Sequence, residues 1–439
     1  MSIFLSLIVG ISGILISKHL FKKWFNHLSL YSFIWTIMVV LYEFKLINFV
    51  NLHLQTWLVI IGSYIGFVLG VLTLFSARGS LGISTNPFNY QNISINIFAD
   101  DGRLLKFVII FCSIIGLFSA IQHWMVLINE FGGVTQVLVR ASSVYRMRVE
   151  GEIKGILPYI FIISFVGVFF SGVYTAYKNK ITFVAIFPLI AVLLKEIANI
   201  SRAGMLFGFF LFFISFLLTR HLLLKTQYRS RLINKTSLAV AGIVVVILVL
   251  FSAVTVKTFR NPVDKFQASS RELNKLEGSA IISPSIYLYS CSHIGVLNEY
   301  LEDEKELTHF GENTFLPIYN FIAKFNFVEH PSFFQRGYFI PVWTNTGTYL
   351  REIHADFGNL GLLLIPYLLG LITSFFWFRL YESGKLINLL ILTYLYLIIA
   401  FSFVVMVTRL SSWFISFVIL LIVLPVIQRY SSRFKKNPL

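Results

Sequence analysis

Eleven long apolar runs govern what this chain can fold into. They fall at about 2–17, 28–47, 54–77, 107–128, 156–177, 181–200, 203–219, 237–256, 357–378, 386–408 and 411–427. Runs of about 15–24 residues match the length a helix needs to cross the hydrocarbon core of a bilayer. Of 439 residues, 57% are hydrophobic and 13% are charged, too few polar groups to cover a soluble core of this size. A cytosolic enzyme and a secreted disulfide domain are therefore excluded. The expected fold is an all-α polytopic membrane protein of about eleven spans, with residues 1–439 forming one multi-pass domain. The first run lacks a basic leader and a small-residue cleavage site, and reads as a retained helix.

The net charge is +16, from 36 Lys and Arg against 20 Asp and Glu. In a soluble protein that excess would suggest nucleic acid; in a multi-pass chain, basic residues gather in cytoplasmic loops and set topology. Short segments after spans one, three, five, seven, nine and eleven hold 19 basic residues, Lys18 to Lys436, and three acids, Asp100, Asp101 and Glu382. An odd number of spans puts all six on one side, assigned to the cytoplasm, with the N-terminus outside and the C-terminus inside. Cys112 lies in an apolar run and Cys291 in a polar segment; neither a disulfide framework nor a CxxC pattern exists.

Two long segments then face outward, 129–155 and the larger 257–356. About 100 residues are too many for a structureless connection. Partial helicity is expected, because Ile286, Tyr289, His293, Leu297 and Tyr300 recur at helical spacing. No P-loop, GxGxxG, nucleophile elbow or DxD pattern appears, so ATP, dinucleotide and nucleotide-sugar chemistry are not expected. His309, His330 and His354 are spread without HxH or HExxH spacing, so no metal is expected.

The segment Trp343-Thr344-Asn345-Thr346-Gly347-Thr348-Tyr349-Leu350-Arg351-Glu352-Ile353-His354-Ala355-Asp356-Phe357-Gly358-Asn359-Leu360-Gly361 resembles the end of the large outer loop in bacterial oligosaccharide repeat-unit polymerases, which make O-antigen and capsule. Those proteins show an Asn-Thr-x-Thr cluster followed by Asp-Phe-Gly-x-x-Gly at the start of the next span. The close match covers about 20 residues; elsewhere the likeness is one of layout, including Ser201-Arg202-Ala203-Gly204 between middle spans. The resemblance implies a C-type glycosyltransferase-like helical fold and transfer of a glycan from undecaprenyl diphosphate to a second lipid-linked repeat unit. It places the reaction at the outer face of the cytoplasmic membrane, without a cofactor or metal. Its implied partners are lipid-linked donor and acceptor, membrane lipids, a chain-length regulator and a flippase, with no nucleic acid.

On that reading His354 and Asp356 are the catalytic candidates, His354 as base with Asp356 beside it, because a histidine or carboxylate can take a hydroxyl proton at neutral pH. Asp356 is equally suited to cap the helix of span nine, and His354 to lie at the interface. Arg202 and Arg409 are candidate diphosphate ligands, since a guanidinium forks onto phosphate oxygens; a snorkelling Arg at a short turn is the alternative. Arg351 is a further candidate, to bind substrate or to pair with Glu352. Arg140, Arg146 and Arg148, and likewise Arg260 and Arg271, suit either an approach surface for lipid diphosphates or an interfacial segment on anionic headgroups. His293, on an apolar stripe, reads as a packed core residue.

The same architecture suits two other activities. An O-antigen ligase moves the same donor to a different acceptor, and a flippase carries lipid-linked sugars without breaking a bond. A long outer loop and the scarcity of charge within the spans weigh against the flippase.

Overall fold

The computed structural model describes residues 2–83, 101–140, 143, 144, 146, 147, 151–157, 159–199, 201–223, 284–303, 307–332, 335–340 and 343–436. Arg148, Arg260, Arg271 and the apolar run 237–256 lie outside them. The described chain is almost wholly helical: α1 Ser2–Phe21, α2 His27–Glu43, α3 Leu54–Ser80, α4 Arg103–Phe131, α5 Val134–Val139, α6 Ile163–Lys178, α7 Phe183–Asn199 and α8 Arg202–Leu223. Then come α9 Pro284–Asp303, α10 Leu316–Ala323, α11 Tyr349–Ser383, α12 Leu386–Phe401 and α13 Ser411–Lys436. A two-residue antiparallel pair, β1 Tyr338–Phe339 with β2 Trp343–Thr344, closes the late loop. Among the described residues, seven helices are long and apolar enough to cross a membrane, and α2 and α12 are shorter apolar helices.

The residues cluster into two compact units. One holds α1 to α3, the late loop, α11 as far as Phe378, and Ile398–Trp413. The other holds α4 to α8, Arg379–Leu397 and the chain from Phe414.

In the first unit, glycines let α3 and α11 touch backbone to backbone. A methyl group at Gly66 would lie 2.6 Å from the Leu363 carbonyl oxygen, and Gly70 and Gly370 face the carbonyls of Tyr367 and Phe67 more closely still. Small residues at the contact are how apolar helices gain packing when no hydrophobic drive separates them from lipid. Tyr31 stacks on Phe67 at 4.3 Å, its hydroxyl pairs with that of Tyr349, and Trp35 donates to Ser402.

The helical stripe expected in the late loop is α9. Leu297 and Tyr300 are fully buried, and His293 nearly so. The Leu46 amide donates to the Tyr287 hydroxyl, and the His53 amide to Asn298 Oδ1, which ties α9 to the α2–α3 connection. Thr408 donates to the Thr314 carbonyl, which ties the same loop to the α12–α13 connection. These three connections are among those an eleven-span count groups on one side.

One span boundary differs from expectation and another gains a helical lead-in. Span nine was expected to open at residue 357; the chain is already helical from Tyr349, breaks at Gly358, whose φ of 63° favours glycine, and resumes as the apolar part of α11. Span ten was expected to reach residue 408, yet α12 stops at Phe401 and a 3₁₀ turn at Val407–Arg409 leads into α13. In both places charged side chains find partners inside the protein, so the chain departs from a simple apolar rod.

The second unit packs by small residues too. Gly172 lies against Ser215 and the Phe212 carbonyl, Gly167 against Cys112 and Pro188, and Gly116 against Ser164. Every residue of α6 from Ser164 to Tyr177 is buried.

Candidate functional site

The segment between Tyr349 and Gly358 looks too polar for a protein interior, yet Arg351, Glu352, His354 and Asp356 are each at most 5% exposed. Each charged group is therefore expected to have partners, because an ion buried alone costs several kcal/mol.

Glu352 meets that demand from three directions. Arg409 Nη1 donates to Oε1 at 2.7 Å, Gln335 Nε2 donates to the same oxygen at 2.9 Å, and the Met406 amide donates to Oε2. One carboxylate thus joins the late loop, the start of α11 and the α12–α13 connection. Arg409 is itself only 8% exposed, which fits a guanidinium held by a carboxylate better than one snorkelling to water.

Arg351 does not take the bridge to Glu352 that adjacency suggested as one option. Its Nη2 donates to the Arg336 carbonyl at 2.8 Å and Nη1 to the Asn345 carbonyl at 3.3 Å. Its guanidinium also lies over the Tyr300 and Tyr338 rings, at 5.4 and 5.3 Å. Neighbours in sequence on a helix point about 100° apart, so the two charges reach different partners.

Asp356 does not cap the helix that resumes after Gly358, because both of its oxygens are taken by residues 308–314. Its Oδ1 accepts from Thr308 Oγ1, the Asn313 amide and Asn313 Nδ2; its Oδ2 accepts from the Thr314 amide and Thr314 Oγ1. Five donors fill the lone-pair directions of one carboxylate. That arrangement suits a tether for residues 308–314 and leaves little capacity to accept a substrate proton. His354 lies two residues away, with Nδ1 at 2.9 Å from the Tyr300 hydroxyl. The direction of that bond follows the imidazole tautomer.

The other candidates fall elsewhere. Arg202 opens α8 and is half-buried in the second unit. Beside it, a methyl group at Gly204 would collide with the Glu196 carboxylate, so the chain packs closely there. Arg140 and Arg146 are exposed; in the same segment Val137 and Val144 join a buried cluster with Leu127 and Ala198. The interleaved apolar and basic pattern is thus an amphipathic segment, with its apolar side covered by protein.

His293 is packed in the core, with its ring nitrogens 2.9 Å from the carbonyls of Thr346 and Tyr289. Burial lowers its pKa below the ordinary histidine value, and the two carbonyls partly offset that. On the same helix, burial pushes the Cys291 thiol up to about 12, which makes it inert as a nucleophile at neutral pH.

Sequence reasoning gave Glu352 only a secondary place and missed Tyr300 and Gln335 as members of the site. The one available signal was an isolated Arg409 among apolar residues, which called for a buried acid.

Fold and composition define the class of this chain as a helical, multi-pass membrane protein. No protein-family model, curated protein or solved structure matches it.

Proposed function

We propose that this protein polymerises undecaprenyl-diphosphate-linked oligosaccharide repeat units at the outer face of the cytoplasmic membrane. The observation that carries the proposal is the buried ionisable group of Arg351, Glu352, His354, Asp356 and Arg409. It sits where the late loop meets the ends of apolar helices, and ionisable residues at such places are functional by default. The Asn-Thr-x-Thr and Asp-Phe-Gly-x-x-Gly resemblance brackets Arg351, Glu352 and His354 and includes Asp356.

In the proposed reaction an acceptor sugar hydroxyl attacks the anomeric carbon of the donor. The bond from that carbon to the diphosphate oxygen breaks, and undecaprenyl diphosphate leaves with the bonding pair. His354 takes the hydroxyl proton: with Nδ1–H donating to the Tyr300 oxygen, Nε2 carries the lone pair. Arg409, fixed by Glu352, stabilises charge on the departing diphosphate. The exposed Arg140 and Arg146 attract anionic lipid headgroups. Asp356 shapes the loop over the site.

Deleting the gene and sizing the surface glycan tests this. Loss of a polymerase leaves single repeat units at the surface. A flippase deletion leaves none there, and a ligase deletion leaves polymer on the lipid carrier; either outcome would replace the proposal.

A further inference from the structure

We propose that His53, Glu299 and Glu302 form a divalent-cation site that staples the late-loop helix α9 to the start of α3. His53 is the residue before α3, and Glu299 and Glu302 stand three apart on α9, on one helical face. One ligand atom from each lies within 4.8 Å of the other two, and His53 Nε2 is 2.9 Å from Glu302 Oε1.

Two further features separate this trio from a casual surface pair. First, the backbone is fixed before any ion arrives. Asn298, fully buried, accepts from the His53 amide and from Thr56 Oγ1 at 2.8 Å each. Its Nδ2 faces the Asn51 carbonyl and Glu299 Oε1. The imidazole and both carboxylates are thereby delivered to one place from two elements, and ordered neighbours are what raise metal affinity. Second, the His53 and Glu302 side chains are 48% and 53% exposed, so a hydrated ion can enter and retain water.

Two carboxylates a turn apart repel each other; an ion between them turns that repulsion into ligation. Ligand distances of about 2.0–2.2 Å put donors about 3–4 Å apart, so small side-chain rotations close the set. One imidazole nitrogen and two carboxylate oxygens suit a first-row ion such as Zn²⁺ or Mn²⁺, with water completing the shell, better than an all-oxygen Ca²⁺ site. The trio is separate from the residues of the proposed reaction, so the ion's role is to hold the loop, not to act on substrate.

The test uses the full-length protein in detergent, stripped with chelator and titrated with ZnCl₂ and MnCl₂, read by calorimetry and thermal shift. The expected result is one ion per chain at micromolar affinity, with a rise in melting temperature. Affinity should drop at least about tenfold in Glu302→Gln and in His53→Ala, while the stripped variants melt close to the stripped parent. Glu312→Gln, at a half-buried acid outside the trio, should bind as the parent does. Absence of saturable binding below about 1 mM, a weak affinity near −4 kcal/mol, would overturn the proposal. So would binding that the His53 and Glu302 variants leave unchanged, or a stripped variant that fails to melt cooperatively where the stripped parent does.

Discussion

Helix α6 in the second unit and the opening turns of α11 in the first are buried to nearly the same degree, by opposite means. Around α6 the surroundings are glycine, serine and phenylalanine, and its neighbours approach until Gly172 meets Ser215 and a carbonyl. Residues 349–356 instead bury an arginine, two acids and a histidine in one short stretch. The first region is stabilised by shape; the second by partner groups that satisfy every ion. Shape tolerates small volume errors at moderate cost, while a charge network fails when one member is removed.

The largest effect is therefore expected at the Glu352–Arg409 pair. Glu352→Ala leaves Arg409 buried with its carboxylate gone, and a loss of about 3–5 kcal/mol is expected. A double replacement by apolar residues of similar volume, Glu352→Leu with Arg409→Met, should recover much of the stability, read as melting temperature, yet leave the glycan ladder absent. Recovery of both would make the pair purely structural.

Asp356→Asn comes next. An amide nitrogen placed among five donors leaves at least one buried group unpaired, at about 1–3 kcal/mol. Loss of a simple helix cap costs about 1 kcal/mol. A change of a few tenths in chemical denaturation would show that the loop tether carries no load.

In the shape-stabilised region, Gly172→Ala is expected to cost about 1–3 kcal/mol through overpacking, because the new methyl group meets the backbone of Phe212 and Phe216. A thermal-shift series at this position and at Gly62, where nothing lies within 4 Å, separates close packing from simple loss of glycine flexibility. Equal melting temperatures for the two would erase the contrast.

The smallest effect is a pH dependence at His293. Its folded pKa lies below the unfolded value of about 6.5, so the unfolded chain binds the extra proton first. Stability from this residue is then complete above about pH 6.5 and declines as pH falls below it. His293→Gln should flatten that part of the stability profile. A profile unchanged by the substitution would mean that the slope arises elsewhere.

The contrast also explains what could be read from the sequence. Ten of the apolar runs coincide with described helices, because length and hydropathy are local properties. The stripe from Ile286 to Tyr300 gave α9 for the same reason. The start of α11 was not legible: four of the six residues from Arg351 to Asp356 are charged or titratable, a composition that reads as a solvated loop. What makes them helical and buried is supplied from a distance. Arg409 is 57 positions from Glu352, Tyr300 is 54 from His354, and Thr314 is 42 from Asp356. His354 and Asp356 were named as a pair because they are close in sequence, but their hydrogen bonds lead to Tyr300 and to residues 308–314 respectively.

The most direct test of the central claim is polymerisation in vitro, with purified protein and lipid-linked repeat units. The parent should convert single units into a ladder and release undecaprenyl diphosphate in step with each linkage. His354→Ala should lower the rate by about 10²–10⁴-fold, the usual contribution of a general base, in a protein that still melts cooperatively. A parent protein that forms no linkage, or a His354→Ala variant within a few-fold of it, would contradict the account.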